Sequence, residues 1–544
     1  MSRHAFLTHL ILLILVSLLA LWPFFHKGYF PTHDGEWMVI RATAFHRTLR
    51  SGQFPVRFVD RLNNNYGYPV MNFLYPLPFY GAEVPKILGF GFVDSVKTVF
   101  VISSVLSVVA MFWALRQMFT PAAAFAGALI YLFIPYRFVD LYVRGSIGEN
   151  FAFAIIPLIF GSIIKIQKGH KIFYPLLSIS TALLILSHNV IAVLFIPLFI
   201  LLSAVAYKKS LITITASMLL GVLLSAFFTI PAIYDLQYVR LSQIKVSNIS
   251  DHLVPLGRLI IPSWGYGPNP NGQDAMSVQI GLIAITILLA SIYLLIIRRK
   301  KNPLAPFLAT LLIIAVLLMD KQSQFIWQAV PKIDIIQFPW RLLSLIVFIT
   351  SFLASFVIDS QNKKKPATAL LIAIAVISSV LYIKPQSFVD RGDSYYATNE
   401  GTTTVADEYL PLWVKEKPKD RANEKIIISQ GQITSQNIRP SNYEAVIFSN
   451  GGTKVQVNTI YFPGWQVKVD PDPCHVNLCI NSSDRIDHPN NNNGLINFEL
   501  PKGKHKVIIE YTESSVHLAS DLISLAALLA TGVLSIYLWR KRKS

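Results

Sequence analysis

The chain carries a long series of apolar runs, most of them long enough to cross a lipid bilayer as a helix at 1.5 Å per residue. The first extends from Phe6 to Phe25. No small-residue cleavage site follows it, which predicts a signal anchor rather than a removed signal peptide. Only 14% of the residues are charged, against about 25% in a typical soluble protein. We therefore predict a polytopic α-helical membrane protein with about twelve transmembrane helices. After the first, helices are expected to begin near Val96, Ala122, Phe151, Phe173, Val190, Leu211, Val278, Pro303, Trp340, Ala367 and His517.

The formal net charge is +18, and this excess lies in seven short segments beside the apolar runs. A nucleic-acid-binding protein gathers its basic residues on one folded surface. Here they follow every second run, as the positive-inside rule requires of cytoplasmic connections. The pattern predicts a multi-pass cell-membrane protein with both termini in the cytoplasm, the lipid bilayer as its partner and no nucleic acid partner. The segments contain Arg3; Arg116; Lys165, Lys168 and Lys171; Lys208 and Lys209; Arg298, Arg299, Lys300 and Lys301; Lys363, Lys364 and Lys365; and Arg540, Lys541, Arg542 and Lys543.

Three segments on the predicted external side are long, and the last of them has the period-two pattern of short β-strands separated by Asn, Pro and Gly. We predict a helical transmembrane domain over 1–384 with a large first external loop at 26–94. An extracytoplasmic β-sandwich domain over 385–516 is expected to follow, and then a final transmembrane helix with a basic cytoplasmic tail over 517–544. The predicted strands are Glu444–Phe448, Lys454–Val457, Gln466–Val469, Ile496–Leu500 and Lys506–Tyr511.

The predicted external β-domain holds Cys474 and Cys479, the only two cysteines of the chain. A disulfide could persist on that side of the membrane. Their spacing would close a small loop, and the sequence leaves a disulfide and two free thiols equally open. Trp465 and its polar neighbours also leave open a glycan-binding or scaffolding role for the domain.

The segment after the first apolar run places three ionisable residues, His33, Asp34 and Glu36, at the predicted outer interface. Thr32 or Asp34 could cap a helix that starts near Glu36, and such a helix would carry an apolar stripe. The stripe contains Val39, Ala42, Phe45 and Leu49. Two interpretations follow: the acids either cap a surface helix, or are held over a cavity where they do chemistry. The aromatic and amide residues at 58–80 that come next fit an interfacial belt or, less strongly, a sugar site.

A short connection at 136–150 packs Arg137, Asp140, Arg144 and Glu149 close to the interface. Charges at this depth are costly unless they pair with each other or face water. Mutual salt bridges are one interpretation. The other is that Arg144 offers a forked donor to a phosphate, while Asp140 or Glu149 binds a divalent metal such as Mg²⁺ or Mn²⁺, or an acceptor.

Two further motifs lie at the outer ends of predicted helices. Phe338-Pro-Trp-Arg341 opens one helix, and Arg341 beside its free backbone N–H groups is a candidate phosphate ligand or, alternatively, an interfacial anchor. Ser187-His-Asn189 turns between two helices, where His188 and Asn189 are candidate substrate or metal ligands, although a histidine in such a turn is more often structural. No nucleotide-binding signature is present, so we expect no nucleotide cofactor and an already activated donor.

Six short motifs follow one another along the chain. They are His33-Asp34-Gly35-Glu36, Arg144-Gly-Ser-Ile-Gly-Glu149, Ser187-His-Asn189, Phe338-Pro-Trp-Arg341, Tyr461-Phe-Pro-Gly-Trp465 and Leu500-Pro-Lys-Gly-Lys-His505. In this order they resemble the GT-C superfamily of membrane glycosyltransferases. Within it, the chain looks most like the bacterial membrane proteins called 6-pyruvoyl-tetrahydropterin synthase-related. The resemblance spans nearly the whole chain.

The resemblance implies an inverting glycosyltransferase that moves a sugar from a polyprenyl-phosphate-linked donor to a glycan, lipid or protein acceptor on the external face. It implies that Asp34 is the catalytic carboxylate, with Glu36 as the neighbouring candidate, and that Arg144 and Arg341 bind the donor phosphate. The family often has an Asp-Glu or Asp-x-Asp pair where this chain has Asp-Gly-Glu, which leaves metal dependence open. A transporter or flippase for a lipid-linked glycan and a non-catalytic scaffold are the alternatives.

Overall fold

A computed structural model describes residues 3–245, 247–331, 333–470, 480–481 and 491–543 of the chain. Cys474 and Cys479 lie outside the described residues. Helices dominate up to residue 398, strands occupy the stretch from 426 to 511, and one long helix ends the chain. The helices are α1 (Arg3–Ala20), α2 (Gly35–Arg50), α3 (Leu77–Ile87), α4 (Phe92–Leu115), α5 (Pro121–Leu132), α6 (Pro135–Val139), α7 (Ile147–Gln167), α8 (Phe173–Ser187), α9 (Asn189–Ala206), α10 (Leu211–Leu224), α11 (Ala226–Tyr234), α12 (Ile249–His252), α13 (Leu256–Ile260), α14 (Leu282–Ile296), α15 (Ala305–Met319), α16 (Gln324–Ala329), α17 (Leu343–Asp359), α18 (Lys364–Ile377), α19 (Asp393–Thr398) and α20 (Ser515–Lys543).

Within the described ranges, six helical segments are long and apolar enough to span a membrane, and two bent helix pairs raise the number to as many as eight. Four further apolar helices, α1, α8, α14 and α15, are shorter. The apolar helices begin within about five residues of the positions expected from the apolar runs, because run length and hydropathy set both ends. The chain is therefore built as a multi-pass helical membrane protein.

Small residues bring the central helices together. A Cβ atom on Gly127 of α5 would lie 2.2 Å from Ser355 Oγ of α17, so only glycine fits this close approach. Ser351 Oγ donates to Gly127 O at 2.7 Å, and Ser355 Oγ donates to Ala123 O at 3.0 Å. Such hydrogen bonds hold helices together in a membrane, where burial of apolar surface does little to drive their association. Helix α17 is accordingly buried along nearly its whole length.

Helices α5 and α6 form one of the bent pairs, with a 43° bend at a short break before Pro135. After α6 the chain makes one π-helical turn, Asp140–Arg144, which ends at Gly145 in a left-handed conformation, φ 64°. A π-helical turn inserts an extra residue per turn, and such turns occur mostly at functional sites. Here it directs both Asp140 and Arg144 into the protein interior, where both are buried.

The C-terminal strands form two antiparallel sheets that share one hydrophobic cluster. Three strands pair in the order β1-β4-β7 and five in the order β2-β3-β8-β5-β6. Trp465 is fully buried inside this cluster and is 0% exposed. The suggestion that Trp465 binds glycan is therefore wrong, because no face of its ring is accessible. The strands are β1 (Ile426–Ile428), β2 (Gln432–Arg439), β3 (Asn442–Ser449), β4 (Thr453–Ile460), β5 (Trp465–Val469), β6 (Ile480–Asn481), β7 (Leu495–Leu500) and β8 (Gly503–Tyr511).

The aromatic segment at 58–80 docks this β-region onto the helices. Phe58 contacts Trp465 edge to face at 5.4 Å between ring centroids, and Phe73 stacks on Tyr409 at 5.0 Å. Phe58, Phe73 and Phe79 are buried, as are most of the aromatic rings between Phe58 and Phe79. The expectation of an interfacial aromatic belt is thus wrong for these residues: their rings fill a protein interface instead of facing the bilayer surface.

A buried set of charges, here called the junction network, fixes the same interface. Arg57 is 2% exposed and uses all three side-chain nitrogens: Nε donates to both oxygens of Glu513, Nη1 to Phe227 O and Nη2 to Asp521 Oδ1, at 2.9 to 3.1 Å. His517 of α20 lies 2.8 Å from an oxygen of Asp235 and 3.0 Å from Glu513. The junction network therefore joins the segment at 26–94 to the start of the last helix.

Candidate functional site

Asp34 immediately precedes α2, but its carboxylate does not cap that helix. The hydroxyl of Thr32 accepts the hydrogen bond from Gly35 N instead, at 2.9 Å. No hydrogen bond or ion pair to the Asp34 carboxylate is found within the part of the chain that the structure describes. The capping interpretation is therefore wrong for Asp34, and its carboxylate oxygens stay available. Helix α2 is also mostly buried, with Val39, Ala42 and Phe45 in the core, rather than a surface helix.

Two glycines, Gly35 and Gly145, allow the first two motifs to pack closely against each other. Asp34 N donates to Arg144 O at 2.8 Å, so the loop before α2 runs beside the end of the π-helical turn. A Cβ atom on Gly145 would lie 2.3 Å from Thr32 Oγ1 and 2.8 Å from Gly35 N, and one on Gly35 would lie 2.5 Å from Thr32 Oγ1. This close backbone approach explains why each motif contains a glycine at this point, and it brings Asp34 next to the charged residues of the second motif.

Arg144 is the centre of a buried charged cluster. Its Nη1 donates to Asp140 Oδ1 at 2.8 Å and to Tyr136 Oη at 2.9 Å, and it also contacts Glu149 Oε2. Its Nε and Nη2 have no protein partner among the described residues. Glu149 Oε1 in turn accepts from the hydroxyls of Tyr136 and Ser344, both at 2.7 Å. Mutual salt bridging at 136–150 is confirmed, while a phosphate contact by the remaining Arg144 nitrogens stays a prediction.

Arg137 lies beneath this cluster and has no carboxylate within ion-pair distance in the described structure. Its Nη2 donates to Ser107 Oγ at 3.2 Å and to Asn150 Oδ1 at 3.4 Å, and the guanidinium stacks 4.1 Å from the Phe153 ring centroid. Its Nε and Nη1 are buried without a hydrogen-bond partner. A buried cation is costly unless opposite charge is nearby. Arg137 therefore balances the negative charge of Asp140 and Glu149 at longer range.

The fourth motif places a second arginine at the same cluster. The Arg144 guanidinium lies over the Trp340 ring, 4.4 Å from its centroid. The next residue, Arg341, is 8% exposed. Arg341 Nη1 donates to Ile336 O and to Gln337 Oε1, both at 2.9 Å. Nε is buried without a partner, and Nη2 makes no hydrogen bond within the described ranges. Arg341 has no carboxylate partner there, so it is a cation available for an anion.

The third motif reaches the cluster through stacked rings. His188 is buried and stacks on Tyr75 with 5.0 Å between ring centroids, and its Nδ1 accepts from Ile191 N at 3.4 Å. Tyr75 in turn packs on Gly148, where an added Cβ would come within 2.3 Å of the ring. His188 thus closes the cluster from one side, whereas Asn189 at the start of α9 is exposed and makes no side-chain hydrogen bond among the described residues.

Glu36 and His33 are held by segments distant in sequence. Arg391 Nη1 donates to Glu36 Oε1 at 2.6 Å, and Tyr396 Oη donates to the same oxygen at 3.2 Å. His33 Nε2 lies 2.7 Å from Tyr266 O, and because a carbonyl can only accept, Nε2 carries the proton. Burial lowers the pKa of His33, which keeps the ring neutral near pH 7. Nδ1 is therefore the acceptor atom of this ring.

The donor set does not fit a divalent metal. No group of three or more His, Cys, Asp or Glu side chains within the described ranges is arranged to hold one. Three of the four carboxylate oxygens of Asp140 and Glu149 already accept hydrogen bonds or ion pairs from Arg144, Tyr136 and Ser344. Mg²⁺ takes oxygen ligands in a tight octahedral shell, and Asp140 Oδ2 is the one oxygen of these two carboxylates without a hydrogen-bond partner among the described residues. The expectation of a metal held by Asp140 or Glu149 thus finds no support in this geometry.

Direct contacts bring the first four motifs together. Asp34 N donates to Arg144 O at 2.8 Å, and the Arg144 guanidinium lies 4.4 Å from the centroid of the Trp340 ring. A Cβ atom on Gly148 would lie 2.4 Å from Ser187 O, which places the third motif against the second. Glu36 and His33 border the site through their neighbours in the chain. Sequence reasoning missed several partners, because no motif marks them and their contacts span up to 360 positions. These partners are Tyr75, Tyr136, Ser344, Arg391 and Tyr396.

The model of one protein family, described as a 6-pyruvoyl-tetrahydropterin synthase related domain and a membrane protein, matches residues 71–387. No curated protein sequence matches the chain. Several solved structures are similar in part. The arabinofuranosyltransferase AftD from Mycobacteria is 16% identical with a TM-score of 0.46, covering 72% of this chain and 28% of its own. An Archaeoglobus fulgidus oligosaccharyltransferase is 14% identical with a TM-score of 0.45, covering 74% and 57%.

A third similar structure is ArnT from Cupriavidus metallidurans bound to undecaprenyl phosphate. It is 12% identical with a TM-score of 0.43, and the match covers 73% of this chain and 68% of that one. The chain thus spans between about a quarter and two thirds of the length of these three proteins.

Proposed function

The chain belongs to the 6-pyruvoyl-tetrahydropterin synthase-related family of membrane proteins, and from that premise we propose that it is a glycosyltransferase. It takes a sugar from a polyprenyl-phosphate-linked donor and passes it to a hydroxyl acceptor on the external face, with inversion at the anomeric carbon. The observation that carries the proposal is the Asp34 carboxylate, which has no partner among the described residues and follows a loop whose backbone is hydrogen-bonded to Arg144. Arg144 and Arg341 also keep donor atoms without a protein partner in these ranges.

The charges of the site suit a lipid-linked phosphate. We call Arg137, Asp140, Arg144, Glu149 and Arg341 the arginine cluster; it holds three cations and two anions, so its formal charge is positive. Guanidinium groups bind phosphate oxygens through paired, charge-assisted hydrogen bonds. Asp140 and Glu149 fix the Arg144 side chain, and the Trp340 ring supports its guanidinium face. An anion therefore meets preorganised donors instead of flexible surface cations.

The mechanism assigns one task to each group. Asp34 accepts the proton of the acceptor hydroxyl as that oxygen attacks the anomeric carbon. The bond between that carbon and the phosphate oxygen breaks, and the polyprenyl phosphate leaves with an additional negative charge. Arg144 and Arg341 stabilise this charge as it develops. His188 and Tyr75 exclude water from one side. A single displacement inverts the anomeric centre.

The proposal includes the membrane arrangement expected from the sequence. The four shorter apolar helices complete a set of about twelve spans, both termini lie in the cytoplasm, and the strands form an external β-sandwich. The site then opens on the external face, between the transmembrane part at 1–384 and the β-rich part at 385–516. Basic residues at alternate helix connections support this orientation.

The test is sugar transfer in proteoliposomes. Purified protein is supplied with radiolabelled polyprenyl-phosphate-linked sugars and with glycoside, lipid and peptide acceptors, and the wild type is compared with Asp34→Asn. We expect transfer by the wild type and its loss in the variant, with unchanged folding as judged by thermal unfolding. Transfer by Asp34→Asn at the wild-type rate would remove Asp34 from the catalytic role, and no transfer by folded wild type would favour a transporter or scaffold.

A further inference from the structure

The segment between the helical part and the strands lies across the first external loop, where it is held along its length. Val389 exchanges two backbone hydrogen bonds with Tyr29, at 2.7 and 2.9 Å. Asp393 accepts from the backbone N–H groups of Phe92 and Val93, at 2.7 and 3.2 Å, and so caps α4. These anchors are backbone or helix-end contacts and leave little freedom to move. We call residues 389–396 the strap.

The strap places one cation and two aromatic rings near Glu36. Glu36 follows Asp34 by two residues in the sequence. Arg391 and Tyr396 both use Glu36 Oε1, so Glu36 Oε2 has no partner among the described residues, and neither do Nε and Nη2 of Arg391. The Glu36 side chain is 25% exposed and that of Arg391 is 37% exposed. Free acceptor and donor atoms therefore stand side by side at the opening of the site.

An exposed aromatic ring completes this surface. Tyr395 is 46% exposed, it meets the Tyr396 ring edge to face at 5.1 Å, and the Arg391 guanidinium lies 4.5 Å from its centroid. A tyrosine ring offers a broad apolar face together with a polar end. Stacking on one side and anchoring by the strap hold this ring in place, so binding a flat apolar face against it costs little side-chain entropy.

A buried hydroxyl links this surface to Asp34. Tyr29 is 1% exposed, and its hydroxyl has no hydrogen-bond partner. It lies beneath Gly35, where an added Cβ would be 2.5 Å away, and within electrostatic range of Asp34, Glu36 and Tyr396. An unpartnered buried polar group is rare in native proteins and points to a ligand or water at that position. The Tyr29 hydroxyl thus lies against Gly35, the residue between the two carboxylates.

We propose that Glu36, Arg391 and Tyr395 form the acceptor subsite and that the acceptor is a carbohydrate. A sugar ring presents an apolar C–H face, which suits the Tyr395 ring, and a rim of hydroxyls that both donate and accept. Glu36 Oε2 accepts from one hydroxyl, while Arg391 donates to another. A second hydroxyl of the same sugar then points toward Asp34. This inference rests on the proposed glycosyl transfer for its role, but the binding itself does not require it.

The first test is equilibrium binding, which is independent of turnover. Full-length protein in lipid nanodiscs is titrated with methyl glycosides and disaccharides of mannose, galactose and arabinose, followed by saturation-transfer NMR. We expect saturable binding of at least one sugar, a tenfold or larger weakening in Tyr395→Ala and Arg391→Ala, and retention within about threefold in Tyr395→Phe, which keeps the ring. Val405→Ser is the matched control, because Val405 is 94% exposed and lies just beyond the strap.

The second test measures how much of the donor sugar is transferred to an acceptor and how much is lost by hydrolysis. The same glycosides serve as acceptors. We expect Tyr395→Ala to raise the KM for the glycoside and lower the ratio of transfer to hydrolysis about tenfold. Equal binding and equal partition in wild type, Tyr395→Ala and Arg391→Ala would overturn the subsite. Binding of hydroxyl-containing peptides instead of glycosides, with the same dependence on the two residues, would overturn the carbohydrate assignment. Sugar binding without any Asp34-dependent donor cleavage would leave the subsite standing and remove the glycosyltransferase.

Discussion

The arginine cluster and the junction network are both buried sets of charges, but they treat their arginines in opposite ways. In the junction network, every side-chain nitrogen of Arg57 has an oxygen partner. In the arginine cluster, Arg137 and Arg341 have no carboxylate partner in the described structure and keep buried nitrogens without hydrogen bonds. Satisfied charges stabilise and orient, whereas unsatisfied ones are costly. The difference separates a cluster that joins parts of the chain from one that we propose as a ligand site.

The largest expected effect comes from breaking the satisfied network. Arg57→Gln leaves Glu513 and Asp521 beside each other without their cation, and losing one partner of a buried ion pair costs roughly 3 kcal/mol or more. We expect a lower melting temperature and faster protease cleavage in the segment at 26–94. Arg439→Gln is the control, because Arg439 is exposed on β2. A melting temperature equal to that of the control would show that Arg57 does not hold the junction.

An intermediate effect is expected from the unsatisfied cluster. Arg341→Gln should weaken the binding of farnesyl phosphate to the folded protein, because it removes a charged donor worth about 1.5–3 kcal/mol, or roughly tenfold to hundredfold in affinity. The melting temperature without ligand should stay near that of the wild type, since Arg341 has no carboxylate partner to strand. Affinity can be measured by calorimetry in detergent. Unchanged affinity together with a large loss of stability would reverse the roles of the two clusters.

The smallest effect concerns Lys425, which donates to Asn65 O. Burial lowers the pKa of Lys425 to about 8. Between pH 8 and 10.5 the unfolded chain still holds this proton while the folded protein releases it, so stability should rise with pH in that window. We expect the melting temperature of the wild type, relative to Lys425→Met, to increase from pH 8 to pH 10. A flat difference would show that the ammonium is well solvated.

The sequence predicts the helices and most strands because their signals are local. Apolar runs locate the helices to within about five residues, and alternation finds β3, β4, β5, β7 and β8. Strand β2 was missed since it is an edge strand with polar side chains on both faces, which shows no alternation. The orientation and the count of spans rest on the sequence pattern alone.

The site also has features with local sequence signals and features that depend on distant contacts. Each motif is local and could be found, and Thr32 was already one of the two capping candidates. The partner that holds Glu36 is distant, because Arg391 comes 355 positions later. The motif glycines were visible, but the reason for Gly35 and Gly145 is a contact between two loops. The aromatic segment at 58–80 was interpreted by composition and depth, and its burial depends on residues such as Trp465 that come much later in the chain.

The most direct measurement compares two carboxylates that stand two residues apart. Single-turnover transfer from a bound polyprenyl-phosphate sugar is followed in Asp34→Asn and Glu36→Gln at saturating acceptor. Both carboxylate oxygens of Asp34 have no protein partner among the described residues, whereas the Glu36 carboxylate is paired with Arg391. We therefore predict a fall of about 10²–10⁴ in Asp34→Asn and a rate within about tenfold of wild type in Glu36→Gln. Transfer by Asp34→Asn at a rate near that of the wild type would contradict the account. A fall of about 10²–10⁴ in Glu36→Gln would contradict it as well.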